Sequence, residues 1–336
     1  PRSTPKPSSA ASDVYKRQVI NMNNLKKVGL TALAGALVSV SANALDVSVS
    51  GGASISFSGE EQTTAGNGWS MNDGITFSSS GEMDNGMTVT VTQILNNDDT
   101  ASDRVFDTQS LAIDMGDTGT FTFYGTGGSS VLDAIDDKTP TANEESWDDV
   151  TGADAIPGGT GGANMMHYSN GSLMDGLTLS ASYTPSNGAT EVESSMDYGF
   201  AYTGIEGLTI GAAAGENNAV VAGSLDITNM YVKYAMDAFT VGYQATESDS
   251  EVADADKDFT AMGISYAVSE EMSVSINSST IDYEDSSLSD QDSTGLSVSY
   301  VMGSMTLKAA HNSVDNIAGS SDADRSAYDL SLAFAF

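Results

Sequence analysis

The feature that most constrains the fold of this chain is an alternation of apolar and polar residues that returns in short segments along residues 45–336. The last segment, 328–336, reads YDLSLAFAF: its even-numbered positions are Tyr, Leu, Leu, Phe and Phe, and its odd-numbered positions are Asp, Ser, Ala and Ala. Because successive side chains of a β-strand point to opposite faces, this segment predicts a strand with one large apolar face. Such a strand would aggregate if it lay uncovered in water, so a second sheet or a lipid bilayer must cover it.

Sixteen segments of this kind can be drawn, separated by clusters of Gly, Asp, Asn and Ser. One face of the segments carries Val, Ile, Leu, Phe, Met, Tyr and Ala, whereas the other carries Ser, Thr, Asn, Gly and an occasional Asp or Lys. A face this polar does not suit a packed core, but it suits a hydrated lumen inside an apolar exterior. The segments are 45–58, 74–80, 87–95, 105–115, 120–125, 163–169, 176–184, 197–203, 208–215, 228–236, 239–246, 258–268, 272–283, 293–302, 305–314 and 326–336.

The connections between these segments alternate in length. Long acidic stretches such as 59–73 and 247–257 alternate with tight turns such as 116–119, 237–238 and 303–304. Short turns at one end and long loops at the other are typical of outer-membrane barrels, and closure satisfies every backbone group that lipid could not. The sequence therefore predicts an all-β fold, a 16-stranded antiparallel up-and-down transmembrane β-barrel over residues 45–336, wide enough to enclose an aqueous channel.

The start of the chain predicts export. Residues 22–44 contain Lys26 and Lys27, then an apolar run over 28–40, and end on Ala-Asn-Ala, which is the pattern of a Sec signal peptide cleaved after Ala44. The localisation that follows is the cell outer membrane. We interpret residues 1–21, which share neither the periodicity nor the composition of the rest, as a non-native upstream extension.

The charge of the chain restricts its partners. The whole sequence has 46 acidic and 12 basic residues, and the first 44 residues hold one of those acids and six of those bases. The remaining 45 acids and six bases argue against nucleic acid as a partner and favour cations. Without cysteine the chain has neither disulfides nor a thiol nucleophile. His167 and His311 are the only histidines and no catalytic motif surrounds them, so we expect no enzymatic activity.

Two stretches and the C-terminus resemble a known family. Residues 75–77 followed by 81–89 (GEMDNGMTV) are similar to the turn between strands two and three of Gram-negative general porins, and 110–116 running into 119–125 is similar to the hairpin before their constriction loop. Terminal Phe336 resembles the signal read by the outer-membrane assembly machinery. The compact size and acidity resemble the Rhodobacter-like porins of alphaproteobacteria. This resemblance implies a passive diffusion pore for ions and small hydrophilic solutes, assembled as a homotrimer in outer-membrane lipid and lipopolysaccharide.

In that family a loop after the fifth strand folds into the lumen, and here the longest connection, from about 125 to 162, holds the corresponding position. A group of carboxylates at a narrow point attracts cations and repels anions, so the loop predicts a cation-preferring pore constriction. The alternative is that these acids merely belong to a solvated loop, since all the long connections are acidic. The candidate constriction residues are Asp133, Asp136, Asp137, Glu144, Glu145, Asp148, Asp149 and Asp154, beside a single Lys138.

The chain departs from the family in its basic residues. General porins set the acidic loop against an arginine cluster, whereas here alternation puts only Lys233 and Lys308 on the lumen wall. Arg104 and Arg325 lie at strand starts near long loops, where we expect them to pair with acids. With so few basic residues, the sequence leaves open whether a transverse field crosses the lumen.

Calcium binding is a further hypothesis. Asp254, Asp256 and Asp258 are spaced like the opening of an EF-hand loop, but Phe259 stands where that loop needs glycine and no Glu follows at its twelfth position. The chain is therefore expected to have no cofactor, apart from Ca2+ or Mg2+ held weakly by clustered loop carboxylates and bridging to lipopolysaccharide phosphates. The alternatives to a general pore are a substrate-specific outer-membrane channel and a calcium-binding β-rich surface protein or adhesin without a pore.

Overall fold

The computed structural model describes residues 46–61, 68–96, 106–186, 188, 193–218 and 223–336. Within them, sixteen antiparallel strands form one closed barrel in which each strand pairs with its neighbours in sequence and the last pairs with the first. The predicted fold class is therefore confirmed. The strands are β1 (Asp46–Glu60), β2 (Trp69–Glu82), β3 (Thr88–Asn96), β4 (Thr108–Asp114), β5 (Thr120–Thr126), β6 (Met165–Met174), β7 (Leu177–Thr184), β8 (Ser195–Ile205), β9 (Leu208–Asn217), β10 (Leu225–Met236), β11 (Phe239–Ser250), β12 (Lys257–Ala267), β13 (Met272–Tyr283), β14 (Gln291–Met302), β15 (Met305–Asp315) and β16 (Arg325–Ala335).

Each of the sixteen segments drawn from the sequence corresponds to one of these strands, but several strands are longer. β11 continues to Ser250 and β12 begins at Lys257, so the predicted long connection 247–257 shrinks to residues 251–256. The ladder of backbone hydrogen bonds continues here past the apolar part of the strands, because it needs no apolar side chains. The predicted extension 1–21 and signal peptide 22–44 lie outside the described residues.

The two faces of the barrel differ as the alternation predicts. Val91 and Leu111, cross-strand partners on β3 and β4, are exposed on the outside. Ser80 and Thr90, partners on β2 and β3, face the lumen with their hydroxyl oxygens 3.1 Å apart. Aromatic side chains gather near the ends of the outer face, as in the contact of Phe239 with Tyr266, whose ring centroids are 4.6 Å apart. Such an apolar exterior with aromatic ends suits a bilayer.

The barrel closes at the C-terminus. Gly51 and Phe336 exchange both backbone hydrogen bonds, with N–O distances of 2.8 and 2.9 Å. The register continues from Gly52 opposite Ala335 to Glu60 opposite Ala327. The edge that the terminal strand would expose in water is therefore paired along β1. Among the residues that the structure describes, no helix is long and apolar enough to cross a membrane.

Candidate functional site: a loop inside the barrel

The connection between β5 and β6, residues 127–164, lies inside the barrel, and we call it the inner loop. Its backbone bonds to lumen-facing side chains of strands far along the sequence: Val131 N–H donates to Ser182 Oγ at 2.9 Å, and Lys138 N–H donates to Gln244 Oε1 at 2.8 Å. The sequence placed the loop at about 125–162, as the longest connection between predicted strands. The inner loop therefore narrows the lumen.

Three small apolar clusters attach the inner loop to the wall. They join it to β9 and β10, to β12 and β13, and to β15 and β16. Trp147, for example, meets Phe259 of β12 edge to face, with ring centroids 5.1 Å apart. The loop side chains in these clusters are Val131, Leu132, Ile135, Trp147, Ile156 and Val150. The inner loop thus packs along most of the wall from β9 to β16.

Buried amides of the wall hold the loop backbone. Gln244 Nε2 donates to the carbonyl oxygens of Ile135 and Asp136, while its Oε1 accepts from Lys138. On β15, Asn312 Nδ2 donates to the carbonyl oxygens of Glu145 and Asp148, both at 2.9 Å. Because a buried backbone group without a partner is costly, these amides give the loop backbone one preferred position. Neither amide was singled out in the sequence, where each is one polar residue on an alternating strand.

Asp154 fixes the C-terminal part of the inner loop to the wall. Its Oδ2 lies 2.6 Å from Lys257 Nζ and accepts from the Tyr283 hydroxyl at 3.0 Å. Its backbone carbonyl oxygen accepts from Gln291 Nε2 and its N–H donates to Gln291 Oε1, each at 2.9 Å. Asp154 therefore anchors the loop and does not stand free in the lumen as a filter residue. Asp133 also has a local role, because its Oδ2 accepts from Ser130 N–H at 3.0 Å.

The remaining loop acids form a partly buried group. Burial is the main cause that raises the pKa of Asp136 to about 7, of Glu144 to about 7 and of Glu145 to about 8, and neighbouring carboxylates add to the effect. Burial also raises the pKa of Asp137 and Asp149. Asp136, Glu144 and Glu145 therefore carry only part of their formal charge at neutral pH.

Three of these acids come close together. One carboxylate oxygen from each of Glu144, Glu145 and Asp148 lies within 4.8 Å of the others. Oxygen ligands at such spacing suit Ca2+ or Mg2+. Asp329 of β16 lies near Asp149 and joins the acidic group from the wall. Sequence reasoning missed Asp329, although a charged residue on the lumen side of the terminal strand was a usable signal.

The basic wall residues lie on the same side as the loop. Lys233 of β10 and Lys308 of β15 face the lumen, with Lys308 near Glu144. The described residues of β1 to β5 contain no Lys, Arg or His, so the wall that the inner loop leaves largely free carries no basic side chain in its described part. Arg104 lies outside the described residues. Arg325 is 3.7 Å from Glu60 and donates to the Thr151 carbonyl oxygen, which ties β16 to the loop.

The aspartates proposed for calcium are not gathered. In the described part of the chain, three ligand oxygens within 4.8 Å of one another come from Glu144, Glu145 and Asp148, and not from Asp254, Asp256 and Asp258. Asp256 instead accepts from Ser250 N–H at 2.7 Å, which closes the turn between β11 and β12, and Asp258 points outward from β12. The ring of Phe336 is exposed on the outer face of the barrel, where β16 pairs with β1.

The fold and the inner loop together define a class: a membrane-spanning pore barrel narrowed from within. Residues 29–287 match the sequence profile of the Gram-negative porin family, and the chain belongs to that family. It is accordingly an outer-membrane diffusion pore, and its family is one of channels, not of enzymes.

Solved structures agree with this fold. An anion-selective porin from Comamonas acidovorans matches with a TM-score of 0.64 at 13% identity, and an engineered variant of the Rh. blastica porin matches with 0.62 at 14%. A porin refined at 1.8 Å resolution matches with 0.62 at 19% identity. All three alignments cover 87% of this chain and 100% of the other. A comparison with curated protein sequences finds no match.

Proposed function

We propose that the chain forms a cation-preferring pore through which ions and small hydrophilic solutes diffuse passively. The observation that carries the proposal is the inner loop, which holds Asp136, Asp137, Glu144, Glu145, Asp148 and Asp149 inside a lumen whose free wall lacks basic residues in its described part. Fixed negative charge in a narrow, partly desolvated passage raises the local concentration of cations and repels anions.

The charge arrangement differs from a transverse field. Lys233 and Lys308 belong to strands that the inner loop covers, so acids and bases share one side of the lumen. A solute that passes between the loop and β1 to β5 meets carboxylates on one side and hydroxyls on the other. The net negative charge of the inner loop then sets the preference for cations. A dipolar solute is not oriented across the pore, because no field runs from one wall to the other.

Reversal potentials in a KCl gradient across a planar bilayer test this proposal. The wild type is expected to favour K+, and Glu144→Gln together with Glu145→Gln is expected to lower that preference. Asp285→Asn, in an exposed connection away from the lumen group, is the matched control and should change nothing. A preference for Cl− in the wild type would refute the proposal. Large ohmic steps support a general pore, small saturable ones a substrate-specific channel, and no steps an adhesin.

The partner within the membrane is proposed to be further copies of the chain, in a homotrimer. Gln93 and Gln109 are cross-strand partners on the outer face of β3 and β4, next to exposed Phe77 and Leu111. A primary amide in hydrocarbon without a partner is unfavourable by about 2–7 kcal/mol, so protein cover is favoured over lipid there.

Brominated phospholipid tests this assignment, because it quenches tryptophan that contacts lipid. We expect Gln109→Trp to add fluorescence that is weakly quenched and Val232→Trp, on exposed β10, to add fluorescence that is strongly quenched. Native mass spectrometry should give three copies per particle. Equal quenching at both positions, or a monomer, would contradict the proposal.

Lipopolysaccharide is the proposed outer-leaflet partner, bridged by divalent cations. Beyond the apolar rows, the outer face of β9 to β15 carries acids opposite acids across neighbouring strands, which we call the outer acidic band. Its pairs are Glu216 with Asp226, Asp226 with Asp249, Glu247 with Asp258, Asp258 with Asp282, and Asp292 with Asp315. Like charges directly opposite destabilise a sheet, and Ca2+ or Mg2+ would relieve them.

A further inference from the structure

We propose that Lys138 and Lys233 together bind a phosphate or carboxylate group of a passing solute. The two lysines would form one anion-binding site in an otherwise acidic lumen. Lys138 belongs to the inner loop and Lys233 to β10. The proposal concerns a site within the pore and does not depend on which ion the whole pore prefers.

The two lysines are brought together by the docking of the loop on β10 and β11. The backbone N–H of Lys138 donates a hydrogen bond to the side chain of Gln244 on β11. The cross-strand partner of Gln244 is Tyr231 of β10. Lys233 lies two residues beyond Tyr231 and opposite Gly242. A Cβ on Gly242 would lie 3.2 Å from Lys233 Cγ and 2.5 Å from Pro140 Cδ, so the stem of Lys233 and the loop meet over that glycine.

Two of the other described basic residues of the barrel pair closely with acids. Lys257 lies 2.6 Å from Asp154 and Arg325 lies 3.7 Å from Glu60, while Lys308 has no ion pair within 4.0 Å with any described residue and interacts at longer range with Glu144 and Asp329. Among the described residues, Lys138 and Lys233 form no ion pair within 4.0 Å, and their ammonium groups repel each other. A chain so rich in acids thus leaves two half-buried like charges close enough to repel each other.

Acids near this pair do not cancel it. Asp136 and Asp137 act on Lys138 from within the loop. Burial raises the pKa of Asp136 to about 7, so half of that charge is absent at neutral pH. Two neighbouring ammonium groups offer up to six N–H donors and complementary charge to an oxyanion, and their mutual repulsion falls when the anion binds. The chemical class is a small solute with phosphate or carboxylate.

Inorganic phosphate is the probe. Single-channel conductance is measured in KCl at pH 7 and constant ionic strength while phosphate replaces part of the chloride. For the wild type we expect a conductance decrease that saturates with phosphate concentration. A hydrogen bond to a charged group contributes about 1.5–3 kcal/mol, so Lys138→Gln and Lys233→Gln should each weaken the apparent phosphate affinity about tenfold or more.

Two variants serve as controls. Lys308→Gln removes a lumen lysine that faces acids and should leave the phosphate affinity within about twofold, because a distant charge in salt is screened. Lys233→Arg keeps the charge and should also keep binding. A conductance decrease that does not saturate in the wild type, or equal weakening by Lys308→Gln, would overturn the proposal. Open-channel conductance in KCl alone reports whether each variant still forms a pore.

Discussion

Pro140 of the inner loop lies directly over Gly242 of β11, so closely that a Cβ on the glycine would fall 2.5 Å from Cδ of the proline. The cross-strand partner of Gly242 is Gly263, and its Cβ would come 2.6 Å from the Pro140 carbonyl oxygen. The loop therefore occupies the space of two absent side chains. Because Gly242 and Gly263 have no side chains, the loop lies close to the wall and projects less far into the lumen.

Gly242→Val is expected to lower single-channel conductance. The new side chain takes the space of Pro140 and pushes the loop towards the free wall, at a cost of about 1–3 kcal/mol for overpacking. Gly74→Ala on β2 is the control, since its Cβ would meet its nearest neighbour at 3.4 Å, an ordinary contact, on the wall that the loop does not cover. A wild-type conductance for Gly242→Val would show that the loop moves aside without narrowing the pore.

Cation preference should rise with pH. The pKa values of Asp136, Glu144 and Glu145, about 7, 7 and 8, mean that these carboxyls are mostly neutral at pH 6 and ionised at pH 9. The reversal potential in a KCl gradient should therefore shift towards that of K+ over this range, and Glu145→Gln should reduce the shift. Asp285→Asn is the control, because its hydrogen bonds with Ser287 lower the pKa of Asp285 and keep it ionised throughout. A flat pH profile would contradict this prediction.

The same pKa values predict how docking of the loop depends on pH. A carboxyl whose pKa is raised by folding stabilises the folded state fully below its unfolded value, here 4.5 for the two glutamates, and loses that contribution as the pH rises through 7 to 8. Current noise from loop motion should thus be lowest near pH 4 to 5 and increase towards pH 9. Noise that decreases with rising pH would contradict this sign.

The anchor at Asp154 separates two kinds of interaction. The Asp154–Lys257 pair is about one-third exposed, so Asp154→Asn should cost no more than about 1 kcal/mol of unfolding free energy. Gln291 is buried and holds both the N–H and the carbonyl oxygen of Asp154, so Gln291→Ala leaves those groups unpaired and should cost about 2–3 kcal/mol. Urea midpoints measure both. A larger loss for Asp154→Asn would reverse the ranking.

The sequence predicts the barrel well because one physical signal repeats in every strand. Lipid on one side and water on the other impose the same alternation sixteen times, and a single misread segment would not hide it. Boundaries are less predictable: β11 runs on through Glu247 and Asp249, whose side chains suggest a loop while their backbone stays in the ladder. The pairing of β1 with β16 also follows, since closure removes both edges.

The constriction is only partly predictable. Acidity marks the loop, but it does not separate Asp154, which binds Lys257, from Glu145, which joins the lumen group. That distinction depends on contacts across more than 100 positions of sequence, such as Glu145 with Asn312. Alternation did indicate which lysines face the lumen, but not that Lys233 lies beside Lys138, because the path of the loop is set by packing.

Phe336 is expected to act in assembly more than in stability. Its ring is 76% exposed, while its backbone closes the barrel with Gly51. Phe336→Ser should therefore leave the urea midpoint of purified barrel nearly unchanged but lower the amount of folded protein in the outer membrane. Phe239→Ser, another outward aromatic next to a short turn, is the control for general loss of apolar surface. Equal amounts of folded barrel in the outer membrane for the two variants would contradict a special role of Phe336 in assembly.

Removal of divalent cations should destabilise the barrel through the outer acidic band. Asp258 has acids opposite it on both sides, Glu247 on β11 and Asp282 on β13, so ions that bridge these carboxylates offset repulsion that water and monovalent salt only weaken. We expect EDTA to lower the thermal midpoint at fixed ionic strength, and Asp258→Asn with Asp282→Asn to remove most of that effect.

The lumen group provides the matched comparison for this prediction. Glu144→Gln with Glu145→Gln removes two acids from the other carboxylate group that could hold an ion. If chelation acts at the outer band, this variant keeps the wild-type response to EDTA. If the response disappears in the lumen variant and persists in the band variant, the cation lies in the constriction, where its removal should also change the conductance. A midpoint that chelation leaves unchanged in the wild type would contradict divalent binding at either place.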